Sequence, residues 1–175
     1  MSNITQILSV EHQNILRVLD AVLAKCDQIE KGETPNLAYF QKLISFIKNY
    51  ADKFHHAKEE DILFTAMLEN MENLHCNPIP VMLHEHDEGR NYVKGMEEGM
   101  QENNTEKIIS YTCKYCVLMQ QHIHKEDNIL YPMAENALTS GQKELVNKKY
   151  REAEAKIKDE VNIDALLSFF ITDVG

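Results

Sequence analysis

Two short stretches of this 175-residue chain carry the same pattern of histidine and carboxylate. One is His55-His56-Ala57-Lys58-Glu59-Glu60-Asp61-Ile62-Leu63-Phe64; the other is His122-Ile123-His124-Lys125-Glu126-Asp127-Asn128-Ile129-Leu130-Tyr131. They lie 67 residues apart, 55 to 122 and 59 to 126 alike. His-x-x-x-Glu sets an imidazole and a carboxylate on one face of a helix, a single turn apart. Two such faces turned toward each other supply half a metal site each.

Helices must do that positioning, and their punctuation is visible. Gly32 ends a first helix that starts near residue 3. Thr34-Pro35 reads as an N-cap followed by proline at the first helical position, opening a second helix that runs to about 73. Asn77-Pro78 repeats that signal for a third, fading near Asn103-Asn104. Asn104 or Thr105 caps a fourth, which runs to about 138 with a kink or stop expected at Pro132. A lysine- and glutamate-rich segment follows Ser140-Gly141, and an apolar stretch, 166–171, reads as a short closing helix. No strand alternation of useful length is present. Short connections favour antiparallel neighbours, so the expected fold is all-α. It is an up-down antiparallel four-helix bundle over about 3–138 with a C-terminal helical extension over about 140–175, all one domain.

Helical phase sorts the eight histidines. His12 falls in the apolar stripe Leu8, Ile15, Leu19, Val22; His55 and Glu59 fall with Ile44, Ile47, Ala51 and Ile62. His86 falls with Ile79, Met82, Val93 and Met96; His122 and Glu126 fall with Ile108, Tyr115, Met119, Ile129 and Met133. His56 and Glu60 share their face with Asn49, Asp52 and Lys53 and are expected in water; His84 keeps company with Asp87, Glu88 and Asn91, and His124 falls on a mixed face with Gln120, Gln121 and Lys125. A single histidine on an apolar stripe is ordinarily a hydrogen-bonded core residue. Buried glutamates without a cation are costly, however. Four histidines and two glutamates in register call for a metal.

Such a set suits two metals, two imidazoles on each and both carboxylates bridging. Its nitrogen and oxygen donors favour iron, with manganese or zinc as weaker fits. An oxo or hydroxo bridge would complete most of the coordination and leave room for a small ligand. Imidazole-rich coordination, with less negative charge than a Glu-x-x-His carboxylate site, favours binding O2 or NO over storing iron.

Glu11-His12, His55-x-x-x-Glu59 with Asp61-Ile62-Leu63-Phe64, Glu85-His86-Asp87-Glu88-Gly89, and His122-x-x-x-Glu126 with Ile129-Leu130-Tyr131-Pro132 resemble the hemerythrin-like, HHE cation-binding, proteins. The resemblance covers about residues 8–135. It implies a non-haem di-iron centre in a four-helix bundle, held by His12, His55, Glu59, His86, His122 and Glu126, the same six that phase selects. Animal-type hemerythrins carry a further histidine four residues from the third-helix ligand; here those positions are Met82 and Arg90. The chain therefore resembles the four-histidine branch linked to nitric-oxide stress and iron–sulfur cluster repair. Members of that branch commonly have a cysteine-bearing N-terminal domain that this sequence lacks.

The expected function is that of a di-iron protein binding a small ligand, O2, NO or peroxide, for sensing, carriage or stress response, served by a redox partner of unknown identity. A di-iron oxidoreductase or iron donor is the alternative, and a helical module with a structural metal the third reading. A net charge of −10 excludes nucleic acid and anionic membranes as expected partners. No apolar run approaches the ~20 residues of a spanning helix. No export signal is visible, so a cytoplasmic setting with reduced cysteines is expected. Cys113-x-x-Cys116 reads as core filler. Tyr115 and Tyr50 are candidate hydrogen-bond donors to a bridging carboxylate, and Arg90 a candidate partner for a buried carboxylate.

Overall fold

A computed structural model describes residues 3–171. Residues 1, 2 and 172–175, part of the expected single domain, lie outside the described residues. The described chain is helical throughout and contains no strand. Its α-helices are α1 (Gln6–Glu30), α2 (Leu37–Phe46), α3 (Phe64–Leu68), α4 (Ile79–Gln101), α5 (Thr105–Lys125), α6 (Tyr131–Ala137), α7 (Ser140–Glu160) and α8 (Ile163–Phe170). No helix among the described residues is long and apolar enough to cross a membrane.

The caps explain where the rods begin. Gly32, at φ +109, takes the left-handed conformation that ends the first rod. The second begins two residues later than Pro35 suggests, because the Asn36 side chain caps it by accepting from the Ala38 N–H (3.0 Å). Asn104 caps α5 by accepting from Lys107. Thr139 and Gln142 form a reciprocal capping box at the start of α7.

Between α2 and α3 the rod does not keep α-helical geometry. It passes through two π-helical segments, Ile47–His56 and Glu59–Leu63. A third, Glu126–Leu130, joins α5 to α6. In these segments hydrogen bonds span i to i+5, so each turn is wider and the faces shift relative to a 3.6-residue count. Two expectations fail for this reason. His56, placed in water by α-phase, is buried, and Ile129, placed in the apolar stripe, is 52% exposed. Pro132 does not end its rod either: it sits in the first turn of α6, just after the π-turn, where its missing N–H is tolerated.

The apolar interior has two parts. One joins α1, α2, the first π-segment, α4, α5 and α8 through Val18, Phe46, Ile47, Met96, Ile108 and Ile163. The other joins the start of α1, α3, α6 and α7 through Leu8, Leu63, Phe64, Met67, Tyr131 and Tyr150. The buried histidines and glutamates belong to neither apolar cluster. α4 and α5 pack closely because Gly95 and Gly99 present no side chain to α5. A Cβ on Gly95 would stand 2.5 Å from the Tyr111 ring, and one on Gly99 2.9 Å from Ile108 Cγ1. Gly95→Val is therefore expected to destabilise the chain by about 2 kcal/mol or more, as overpacking outweighs the gain over glycine in helix propensity. A lowered urea midpoint at unchanged slope would register it.

Candidate metal centre

The six residues selected by phase come together in the interior. His12, His55, Glu59, His122 and Glu126 are fully buried and His86 is 1% exposed. Four of them, His12, His55, Glu59 and Glu126, place one donor atom each within 4.8 Å of one another. A second group does the same with Glu59, His86 and His122 and adds His56. Glu59 belongs to both.

A ring of carboxylates orients the imidazoles. His12 Nδ1 meets Asp127 Oδ1 (2.9 Å), His55 Nδ1 meets Glu11 Oε2 (2.8 Å), His86 Nδ1 meets Glu60 Oε1 (2.7 Å) and His122 Nδ1 meets Glu85 Oε2 (2.9 Å). An ionised carboxylate only accepts, so each Nδ1 carries the proton and each Nε2 faces inward. The partner of His55 is the residue beside His12, and the partner of His122 is the residue beside His86. In turn His12 and His86 are held by the residues just after Glu126 and Glu59. His12 and His86 are thus oriented from the opposite half of the repeat, His55 and His122 from their own. Two lysines at matching positions close the pattern: Lys58 binds Glu11, and Lys125 binds Glu85.

The inward atoms suit a cation. His12 Nε2 lies 3.2 Å from Glu126 Oε2, and His122 Nε2 lies 3.2 Å from Glu126 Oε1. His55 Nε2, Glu59 Oε2 and both Glu126 oxygens are nonetheless buried without an aligned hydrogen-bond partner. Four such atoms in one place are rare in a folded chain, where buried polar groups are normally satisfied. His86 Nε2 and His122 Nε2 face each other at 2.9 Å, a contact that requires a proton or a cation between them.

Without metal, protons take that role. Burial opposes charge on His12, yet Asp127 and Glu126 hold its pKa up at about 10. Burial also opposes the His122 imidazolium, and the charge of Glu126 raises it nonetheless. Burial, then the charge of Glu126, pushes Glu59 well above the usual carboxylate range. Burial pushes Glu126 upward too, but His122 and His12 outweigh it and hold Glu126 well below that range. Two buried carboxylates with unequal protonation, beside imidazoles whose outer nitrogens are committed to carboxylates, are a donor set that a divalent cation would neutralise.

Tyr131 was not singled out as a donor by sequence reasoning, yet its hydroxyl donates to Glu59 Oε1 (2.6 Å) and lies 3.2 Å from His12 Nε2. The repeat held the signal: the matching residue in the other copy is Phe64, so one hydroxyl breaks the symmetry. Tyr50 instead accepts from Asn14 Nδ2 (3.0 Å), and Tyr115 is buried with its hydroxyl unpartnered. Arg90 does meet carboxylates, binding Asp52, Glu60 and Asp87. Cys26 and Cys116 are buried and Cys113 partly so, and these thiols are free. His75, His84 and His124 are exposed and lie outside both donor groups.

The family model described as the hemerythrin HHE cation-binding domain matches residues 3–134. No curated protein and no solved structure matches the chain. The matched span takes in every one of these inward-facing histidines and glutamates, and the chain belongs to the hemerythrin HHE cation-binding domain family.

Proposed function

We propose that this chain is a non-haem dinuclear metal protein, with iron as the metal, that binds a small ligand such as O2, NO or peroxide. What carries the reading is the cluster of buried, unpartnered donor atoms on His55, Glu59 and Glu126, ringed by imidazoles whose outer nitrogens are already committed. His12, His55, Glu59 and Glu126 would hold one ion; Glu59, His86 and His122 would hold the other. A mixed imidazole and carboxylate set suits iron better than a thiolate-seeking metal. The reading places these residues on an up-down four-helix bundle with α7 and α8 as its C-terminal extension, in one domain.

When bound, the ions would supply Lewis acidity and one-electron redox capacity. The chain's own residues do the rest. Asp127, Glu11, Glu60 and Glu85 fix the imidazole tautomers, and Tyr131 donates to Glu59. A cavity of about 250 Å³ reaches the cluster beside His56 and His86, with Gly89, Arg90, Val93 and Tyr115 among its walls. That volume lies below the ~300–1,000 Å³ typical of sites for larger organic ligands, which favours a ligand of few atoms. The free Tyr115 hydroxyl is a polar group on that wall for such a ligand to meet.

Metal analysis and optical spectra after anaerobic loading with ferrous iron and exposure to air test this. The expected result is about two irons per chain and a ferric charge-transfer absorption that shifts with azide or NO. A chain that retains zinc and stays colourless after loading would overturn it. Tyr131→Phe, which installs the residue found at position 64, is expected to keep both ions but to weaken affinity roughly 10-fold, by removing a hydrogen bond that orients Glu59. A competition titration against a chelator would measure that loss.

A further inference from the structure

His56 has no place in the four-histidine scheme, yet it is buried against the cluster. Its ring stacks on His86 with centroids 3.9 Å apart and planes 14° apart, and its centroid is 6.0 Å from that of His122. One of its nitrogens lies within 4.8 Å of donor atoms on Glu59, His86 and His122. We propose that His56 is a fifth imidazole ligand, serving the ion held by His86 and His122, and that Asp52 and Arg90 position it. The inference rests on the two-ion reading above.

His56, like the other four, has a carboxylate behind its outer nitrogen. Its Nδ1 faces a carboxylate, Asp52 Oδ1, at 3.5 Å, too far for the hydrogen bond that the other four make, and is buried without a hydrogen-bond partner. Asp52 is gripped by Arg90 through Nε (3.0 Å) and Nη2 (2.7 Å). The same Nη2 reaches Glu60 Oε1 (2.7 Å), the carboxylate behind His86. One guanidinium thus fixes the carboxylates behind both stacked rings. Metal-binding histidines are characteristically held in this way through the ring nitrogen that does not bind.

The internal repeat supplies an independent argument. Across the 67-residue offset, His56 corresponds to Ile123 and Asp52 to Met119. The Glu11-His12 and Glu85-His86 pairs match at an offset of 74 residues (11 to 85, 12 to 86), which sets Arg90 against Leu16. The other half of the molecule therefore fills these positions with apolar residues, and Ile123 and Met119 are buried there. Burying a histidine and part of an ion-pair network costs free energy that isoleucine, methionine and leucine avoid. Binding a cation offsets that cost in one half only. The two ions are consequently unlike: one is met by three imidazoles and the shared Glu59, the other by two imidazoles and both carboxylates.

The cobalt(II)-loaded full chain tests this without a substitution. Each ligand histidine contributes one solvent-exchangeable, paramagnetically shifted ring N–H proton resonance. Five such resonances are expected, and four would overturn the inference while leaving the two-ion reading intact. Calorimetric titration of the metal-free chain with cobalt(II) should show two binding events. His56→Ile is expected to weaken one of them by about 100-fold or more and spare the other, and Asp52→Asn to weaken that same event by roughly 10–100-fold. Unchanged affinities in both variants would assign His56 to stacking alone and overturn the inference. A parent chain that takes up no cobalt would overturn the reading and the inference together.

Discussion

Glu59→Leu is expected to abolish binding of both metal ions while leaving the metal-free fold as stable as before, or more so. Glu59 is the residue that the two groups of ligands share. Replacing any histidine removes a donor from one group, but this change depletes two. Removing a residue that only orients a ligand typically costs 10–100-fold in affinity. A shared ligand should exceed that range at both positions, so reconstituted protein should retain little metal. The effect on the fold has the opposite sign because the carboxylate is fully buried and one of its oxygens is unpartnered. Removing a buried polar atom that lacks a partner lifts its desolvation penalty, about 1–3 kcal/mol. The lost Tyr131 contact (2.6 Å) offsets part of that gain. Metal content and thermal unfolding of the metal-free variant, measured together, check both halves. A variant that still binds two ions, or a metal-free form clearly less stable than the parent, would contradict the role given to Glu59.

The contrast between sequence and structure turns on the width of a helical turn. The apolar stripes at 3.6-residue spacing pick out His12 and His86 on regular helices α1 and α4, and His122 near the end of α5. They also pick out His55 and Glu59, because a residue and its fourth neighbour stay close enough in a slightly widened rod. They miss His56 because the π-segment Ile47–His56 turns its last residues inward together. Nothing in composition marks that change of pitch. The orienting carboxylates were within reach: Glu11 and Glu85 sit next to His12 and His86, and Glu60 and Asp127 next to Glu59 and Glu126. What the residues alone do not show is the crossing, in which Asp127 holds His12 and Glu60 holds His86 from the opposite half. That depends on which rods lie side by side. The caps at Asn36 and Asn104 follow a rule that favours side-chain acceptors, and Thr34-Pro35 competed with Asn36 for the same role.

The buried lysine ties the extension to the centre and sets the other large expected effect. Lys58 is 1% exposed. Its ammonium binds Glu11, reaches Glu154 Oε1 on α7 (3.0 Å) and stands 4.0 Å from the centre of the Phe54 ring. Even so, burial outweighs Lys58 at Glu11 and leaves that carboxyl pushed up to about 7. The pair sits where water cannot repair its loss. Lys58→Met is expected to destabilise the chain by about 3–5 kcal/mol, because it strands a buried carboxylate. Lys125 is its counterpart in the repeat and binds Glu85 in the same manner, but its side chain is 35% exposed. Lys125→Met should therefore cost no more than about 1 kcal/mol, the ordinary worth of a solvated ion pair. Adding Glu11→Gln to Lys58→Met should recover a large part of the loss, since the stranded charge goes with it. Equilibrium unfolding of the parent and these three variants in urea gives the comparison directly. Equal costs at the two lysines would mean that burial does not distinguish them, and no recovery in the double variant would mean that Lys58 acts through packing on Phe54 rather than through Glu11.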